Sequence, residues 1–338
     1  MRLATYNVEW FDKLFDDDGA LLNDTGWSGR QDVERRDQIA SLVRVFKAVD
    51  ADAYVLIEAP DEGRTRSTTR ALEAFAAHGG LRQRAALIGF RNDTQQEIAL
   101  LYDPDIVEAR HDPRESAFAP RFDTELRLDL DQDDQGDRVV WSKPPLEALL
   151  TCRGHRLRVI GVHAKSKAPF GARTPEEATR ISIANRRKQL AQCIWLRRRV
   201  EEHLGAGDPL IVAGDFNDGP GLDEYEKLFG RSGVEVVLGE AGQKLFDPHA
   251  AQALTSKFAM PTTSRFWLPH EGRYLQALLD YIMVSPDLRS RAGAWRIWHP
   301  FEDPACFRDT SLRDALLTAS DHFPVSLDLD FDMPISSP

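Results

Sequence analysis

The sequence is poor in cysteine, holding only Cys152, Cys193 and Cys306, an odd number without metal-ligand spacing. A disulfide framework is therefore not expected, and the pattern suits a reducing compartment, the cytoplasm. There is no apolar run long enough to cross a bilayer. The opening MRLATYNVEWF enters a strand pattern at once, so no secretory leader is expected. Positive charge is also short: 43 Lys and Arg stand against 54 Asp and Glu, a net charge of −11. That excludes a protein whose main business is coating nucleic acid without specificity, but not an enzyme that grips one phosphate locally. No repeat and no low-complexity linker interrupts the chain, so one domain over residues 1–338 is the simplest expectation. Nothing implies a protein partner or stable membrane association.

What is present is ordinary globular material, 42% hydrophobic and 29% charged, arranged in short apolar runs. The most informative run is Leu210–Ala213, a buried-strand pattern broken by Gly214 and followed by Asp215, Asn217 and Asp218. Alone, such a turn is most often an Asx-rich turn. Other strand patterns are Leu3–Val8, Ala53–Ile57 leading to Glu58, Ile98–Tyr102, Glu147–Cys152, Leu157–His163, Leu278–Val284 carrying Asp280, and Phe323–Leu329 after Ser320-Asp321-His322. Helical periodicity marks 31–49, 64–80, 222–229 and a long helix from about Pro175 to Leu204. On that long helix Arg197, Arg198 and Arg199 read as a solvated face. Residues 129–137 read as an exposed hairpin tip, and the tail after Asp330 as frayed.

Asn7, Glu58, His163, Asp215, Asn217, Asp280, Asp321 and His322 all fall at or beside strand ends. Singly, each has a structural explanation as a cap, an ion-pair partner or a satisfied core group. Together they suggest that the strand ends converge. Strands alternating with helices imply an α/β arrangement with mixed sheets. Carboxylates, carboxamides and imidazoles without thiolates select a hard divalent cation, Mg²⁺ or Mn²⁺.

TYNVEW, LIEAP, GVHAKS, GDFND, LDYIMVS and SDHFPV, in this order from Thr5 to Val325, resemble the motif series of the endonuclease/exonuclease/phosphatase superfamily. Its members include pancreatic-type deoxyribonuclease, abasic-site endonucleases, inositol-phosphate phosphatases and bacterial sphingomyelinases. The resemblance implies a four-layer α/β/β/α sandwich with two mixed, largely antiparallel sheets and the site at one edge. It implies metal-dependent cleavage of a phosphoester by an activated water. It makes Glu58 the main metal-binding glutamate, with Asn7 beside it and Glu9 and Asp321 close to the metal. It makes Asp215 the residue that orients or deprotonates water, and Asn217 the carboxamide that holds that water and a phosphate oxygen. His322, backed by Asp280, would bond the phosphoryl oxygen, and His163 would contact phosphate. Three positions depart from the pattern. Glu9 replaces the more usual aspartate, Ile57 replaces a glutamine that often precedes the metal glutamate, and His163 stands where abasic-site enzymes carry asparagine.

The chemistry suits these residue types independently, since in-line attack needs a positioned water, a base and positive charge. Lys165 and Arg186 add charge only if they are not simply an exposed lysine and a helix ion pair. Nucleic acid is the first substrate expectation, from the Arg-rich stretch 180–199 and from Trp10, Trp27, Phe266 and Trp267 as groove-lining aromatics. A small phosphoester, such as an inositol phosphate, nucleotide or phospholipid headgroup, is the alternative that the acidic charge favours.

Overall fold

The computed structural model describes residues 1–94, 96–129, 137–220, 229–240, 242, 244–255, 260–268 and 272–332. Side-chain alternation along its strands decides the layering. In β1 (Arg2–Asn7), Ala4 and Tyr6 face a helical layer while Leu3 faces a second sheet. The chain continues through α1 (Arg35–Val49), β2 (Ala53–Pro60), α2 (Thr68–Gly79), β3 (Ala85–Ile88), β4 (Gln96–Tyr102) and β5 (Val107–His111). A small hairpin, β6 (Leu126–Leu128) and β7 (Asp137–Val139), precedes β8 (Leu146–Cys152), β9 (His155–His163), α3 (Pro175–Gly205) and β10 (Leu210–Asp215). Then come α4 (Gly233–Leu238), α5 (Pro248–Thr255), the hairpin β11 (Ser264–Leu268) and β12 (Arg273–Ala277), and β13 (Asp280–Val284). The last elements are α6 (Pro286–Arg289), β14 (Ala292–Ile297), α7 (Pro304–Arg308), α8 (Thr310–Ala319) and β15 (Val325–Leu329).

One sheet runs β14-β15-β1-β2-β4-β3 and the other β13-β10-β9-β8-β5. Only β1–β2 and β9–β10 are parallel within them, so both sheets are mixed and largely antiparallel. Three apolar layers fill the spaces. Tyr6, Tyr54 and Leu56 pack with Phe46, Phe75 and Leu316 of the helices on one side. Val55, Leu100, Val159, Ile211 and Ile282 meet between the sheets. Val162, Val212 and Met283 pack under Trp195 and Leu196 of α3 on the far side. The expected α/β/β/α sandwich is what these layers make. Among the described residues, no helix is long and apolar enough to cross a membrane.

Several local expectations need correction. Gly214 does not end the strand but lies inside β10, opposite Val162 and Tyr281, where a Cβ would collide with the Val162 carbonyl oxygen. Arg199 is not on a solvated face. It is fully buried, with Nε 3.0 Å from Glu147 of β8, because α3 packs on the sheet through this residue. α1 starts at Arg35 because residues 26–34 form a loop clasped by the Trp27–Glu34 bridge and by Arg35 N–H on the Gly26 carbonyl, 2.8 Å. Among the described residues of 230–277 there are two helices and a hairpin, for which the sequence carries no clear periodicity; Ser232 and Glu235 form a capping box at the start of α4. Of the expected helix over 222–229, hairpin tip or loop at 129–137 and tail after Asp330, residues 222–228, 130–136 and 333–338 lie outside the described residues.

Candidate active site

Strand register alone assembles the centre. Asp215, last residue of β10, lies opposite His163 of β9 on one side and opposite Asp280 of β13 on the other. Asn7 ends β1 in the facing sheet, and its Nδ2 reaches Asp215 Oδ2 at 3.0 Å. Glu58 sits in β2 next to Ile57, the register partner of Asn7. There the pairing with β4 slips by one residue and Glu58 takes φ 62°, a bulge that re-aims one side chain. The bulge turns Glu58 out of the strand alternation toward His163, whose Nε2 is 4.0 Å from Oε1.

The Ser320-Asp321-His322 turn is tied to the β1 end by one hydroxyl. Ser320 Oγ donates to the Asn7 carbonyl at 2.8 Å and accepts the His322 N–H at 3.1 Å. His322 then directs Nδ1 to Asp280 Oδ2 at 2.7 Å and leaves Nε2 4.0 Å from Asp215 Oδ2. Thr263 Oγ1 accepts the N–H groups of Leu279 and Asp280, both at 3.0 Å, fixing the β13 entry.

The electrostatics separate the groups. Burial pushes the Asp215 carboxyl up to about 7, against the pull of the His322 charge, with Asp280 adding to the rise. Burial alone would depress His322, but the charge and hydrogen bond of Asp280, helped by Asp215 and Asp321, hold it up at about 10. Burial and the neighbouring Lys143 ammonium push His163 well below its ordinary value, so it is neutral at pH 7. Its Nδ1 lies 3.2 Å from Lys143 Nζ and serves as acceptor, which leaves the proton on Nε2, facing Asp215 Oδ2 at 3.8 Å. The centre thus pairs a carboxylate poised near neutrality with one cationic and one neutral imidazole.

Asp215, Asp280 and His322 offer atoms within 4.8 Å of one another, a spacing that a metal ion would also accept. An imidazolium whose Nδ1–H is given to Asp280 has no lone pair for a metal, so this trio suits proton handling instead. The donors that fit a hard cation are Asn7, which touches Asp215, and Glu58, which follows Asn7's register partner Ile57. Asn7 Oδ1 is a buried acceptor without a hydrogen-bond partner, and Glu58 is a half-buried carboxylate whose pKa is raised by burial. An unpartnered amide oxygen and a carboxylate from adjacent strands are the kind of donors Mg²⁺ takes, completed by water and phosphate.

The other expected residues are placed as follows. Asn217 adopts φ 50°, a left-handed conformation that asparagine tolerates. Its backbone N–H bonds Asp215 Oδ1 at 2.7 Å, and its Nδ2 donates to the Ala164 carbonyl and Asp215. Asp321 is close enough to Glu58 and His322 to shift both. Glu9 is ion-paired with Arg30. Arg186 is a structural residue, fully buried and paired with Asp218 at 2.6 Å, while Lys165 is half-exposed near Lys188.

Two residues of the centre carry no sequence signal. Lys143, in the link before β8, bonds both His163 and Gln96, and burial lowers its pKa. Gln96, at the start of β4, donates to the Glu58 carboxylate. Ile57 belongs to the core between the sheets. The hydrogen bond to Glu58 therefore comes from the neighbouring strand. Beside the centre, Ser264 bridges to His322 and Phe266 meets its ring at 5.4 Å, so β11 walls the site. On the opposite face of that hairpin, exposed Trp267 and Tyr274 meet with ring centroids 4.9 Å apart and planes tilted by 59°, and Arg265 lies over Tyr274 at 3.5 Å.

The sequence profile described as the Endonuclease/Exonuclease/phosphatase family matches residues 4–322. None of the curated proteins matches the chain. Among solved structures, TDP2 from C. elegans is similar at 14% identity and a TM-score of 0.51, over 96% of this chain and 74% of that one. Truncated TDP2 from Caenorhabditis elegans gives 14%, 0.51, and 96% of both chains. An AP endonuclease from Archaeoglobus fulgidus gives 14% and 0.49 over 98% of this chain and 99% of that one. At such identity the TDP2 likeness speaks for the fold alone.

Proposed function

Because the chain belongs to the Endonuclease/Exonuclease/phosphatase family, we propose that it is a Mg²⁺- or Mn²⁺-dependent phosphodiesterase that uses an activated water, and that its substrate is nucleic acid. The observation that carries the reading is Asp215, a buried carboxylate held near neutrality between His163 and the His322–Asp280 pair. A base works best when its pKa lies near the working pH. Asp215 takes the proton of the attacking water, its orientation fixed by Asn7 and Asn217. His322, cationic through Asp280, presents Nε2–H to the phosphoryl oxygen on which negative charge builds. Neutral His163 offers Nε2–H, and Lys143 behind it supplies a fixed positive charge. Glu58 and Asn7 would hold the metal, which when bound supplies Lewis-acid stabilisation of the phosphate. One catalytic domain is supported by the pairing of β1 with β15, which places both ends of the chain in the same sheet. The three buried free thiols support a reducing compartment such as the cytoplasm.

Support for nucleic acid comes from the exposed Trp267–Tyr274 pair, with Arg265 over Tyr274, on the hairpin joined to His322, a surface suited to bases. The net charge of −11 favours a second reading, a small phosphoester. Plasmid DNA, RNA and bis-p-nitrophenyl phosphate, each with Mg²⁺, Mn²⁺ or EDTA, separate the two. Nicking that needs metal and is absent from Asp215→Ala supports the nuclease. Turnover of the small diester alone moves the substrate to a small phosphoester.

A further inference from the structure

Two carboxylates lie about Arg30 beside the centre: Glu9, just past β1, and Asp321 in the Ser-Asp-His turn. Left uncompensated, their charges would add to that of Glu58, whose pKa burial and Asp321 already raise. They are not left so. The Arg30 guanidinium bonds Glu9 Oε2 through Nη1, donates to the Leu317 carbonyl through Nη2 at 3.1 Å, and interacts electrostatically with Asp321. Only 12% of its side chain is exposed. The arginine is held on a pinned loop, since Trp27 Nε1 donates to the Arg30 carbonyl at 2.7 Å and Ser28 N–H to the Val33 carbonyl at 3.1 Å. The acid is pinned as well. Gln38 Nε2 bonds the Glu9 carbonyl at 2.9 Å and the Ala319 carbonyl at 3.0 Å, clamping β1 to the turn that carries Asp321.

We infer that Arg30 is a built-in cation for the Glu9–Asp321 side, so that the centre takes a single divalent ion, at Glu58 and Asn7. A guanidinium is permanently charged and its planar fork matches a carboxylate, so it neutralises this flank without being exchanged for solvent ions. A divalent ion entering there would first have to break a largely buried ion pair and strand the arginine. Arg30 is a positioning residue here: it keeps Glu9 off the metal and compensates Asp321, whose charge helps to raise His322.

The inference rests on the metal reading of Glu58, and the test separates the two. Mn²⁺ is titrated into the full chain, with bound ion counted by electron paramagnetic resonance and heat by calorimetry. The wild type is expected to bind one ion. Arg30→Gln is expected to gain a second, weaker one, and Arg30→Gln with Glu9→Gln to return to one. Glu9→Gln alone is expected to lose less than the roughly tenfold in affinity that marks a residue supporting a metal ligand. Two ions in the wild type, one in Arg30→Gln, or a tenfold loss in Glu9→Gln overturns the inference. If Arg30→Gln does not fold by circular dichroism, the wild-type count and Glu9→Gln still decide it. Glu58→Gln tests the premise: unchanged Mn²⁺ binding there overturns the metal reading itself, whereas lost binding beside a two-ion wild type overturns only the role of Arg30.

Discussion

Asp280 accepts the Nδ1–H of His322 at 2.7 Å, with both side chains buried, and this one contact keeps an imidazole charged where burial alone would discharge it. Asp280→Asn keeps the shape and removes the charge. His322 then drops from about 10 toward or below its ordinary range, and the imidazolium is lost at neutral pH. The alkaline limb of kcat/KM is expected to move to lower pH, with a loss of about 10²–10⁴-fold at pH 8. A pH–rate profile of the purified variant measures both. Stability follows the same linkage. The raised His322 pKa stabilises the fold fully below the ordinary histidine range and ceases to do so as pH rises through about 10. The variant should therefore lose thermal stability at pH 7 and little at pH 10.

Asp215 follows the same sign over a lower pH window, but here it is the ionised form that burial disfavours. Its carboxyl keeps a proton up to about 7 in the folded chain, whereas the unfolded chain releases it in the ordinary aspartate range. Stability contributed by this site therefore falls as pH rises across that interval. Asp215→Asn removes the buried ionisation and should raise the unfolding temperature of the metal-free protein at pH 8. Activity moves the other way, with turnover down by about 10³-fold or more and the acid limb near pH 7 abolished. Calorimetry and a rate profile on the same preparation check the pair of effects. A variant both inactive and destabilised at pH 8 would argue against the assignment.

Gln96 holds Glu58 from the neighbouring strand, and it also bonds Lys143. Gln96→Leu leaves the carboxylate in place but frees it to turn. The expected outcome is a metal requirement raised by about 10–100-fold with saturating turnover much less affected. A Mg²⁺ titration of initial rate reads this directly. Glu58→Gln should abolish the Mg²⁺ response.

Asp215, Asp280, His163 and His322 were legible because polar residues at either end of apolar runs mark where strands leave or enter the sheet; register then brings Asp215, His163 and Asp280 together, and His322 joins them through Asp280. Alternating strand and helix patterns made an α/β arrangement with mixed sheets legible, whereas the four-layer sandwich was implied by the resemblance of the motif series. Lys143 was not legible, because a lysine before Pro144 in a linking segment has no periodicity to report, and only the fold carries it to His163. Gln96 begins a strand whose apolar part starts at Ile98, so its inward role depends on the Glu58 bulge. The pairing of Glu9 with Arg30 depends on a loop closed by a single bridge, a long-range event that local sequence does not encode. The short strand β3 and the hairpin β11–β12 escaped because their side chains are only partly buried and alternate weakly.

Asp218 shows how the catalytic turn is kept in place by groups that never meet substrate. Its carboxylate, fully buried, takes Arg186 Nη1 and Lys167 Nζ on Oδ1, both at 2.6 Å, and Gly233 N–H on Oδ2 at 2.6 Å. Arg186 in turn bonds Gln189, whose Nε2 donates to the carbonyls of Lys165, Phe216 and Asn217. Asp218→Ala would remove the buried carboxylate that accepts from Arg186, Lys167 and Gly233 and should cost about 3–5 kcal/mol in denaturant unfolding. Because Gln189 grips the Asn217 carbonyl, the same change should also slacken the turn that orients Asp215. Activity per folded molecule is then expected to fall while the pH limbs stay where they are, since no group that titrates in the reaction has been altered. Arg186→Met with Asp218→Leu, which removes both charges from the interior, should recover most of the stability. Recovery of the fold without recovery of turnover would show that this network positions the site as well as holding α3 to the sheet.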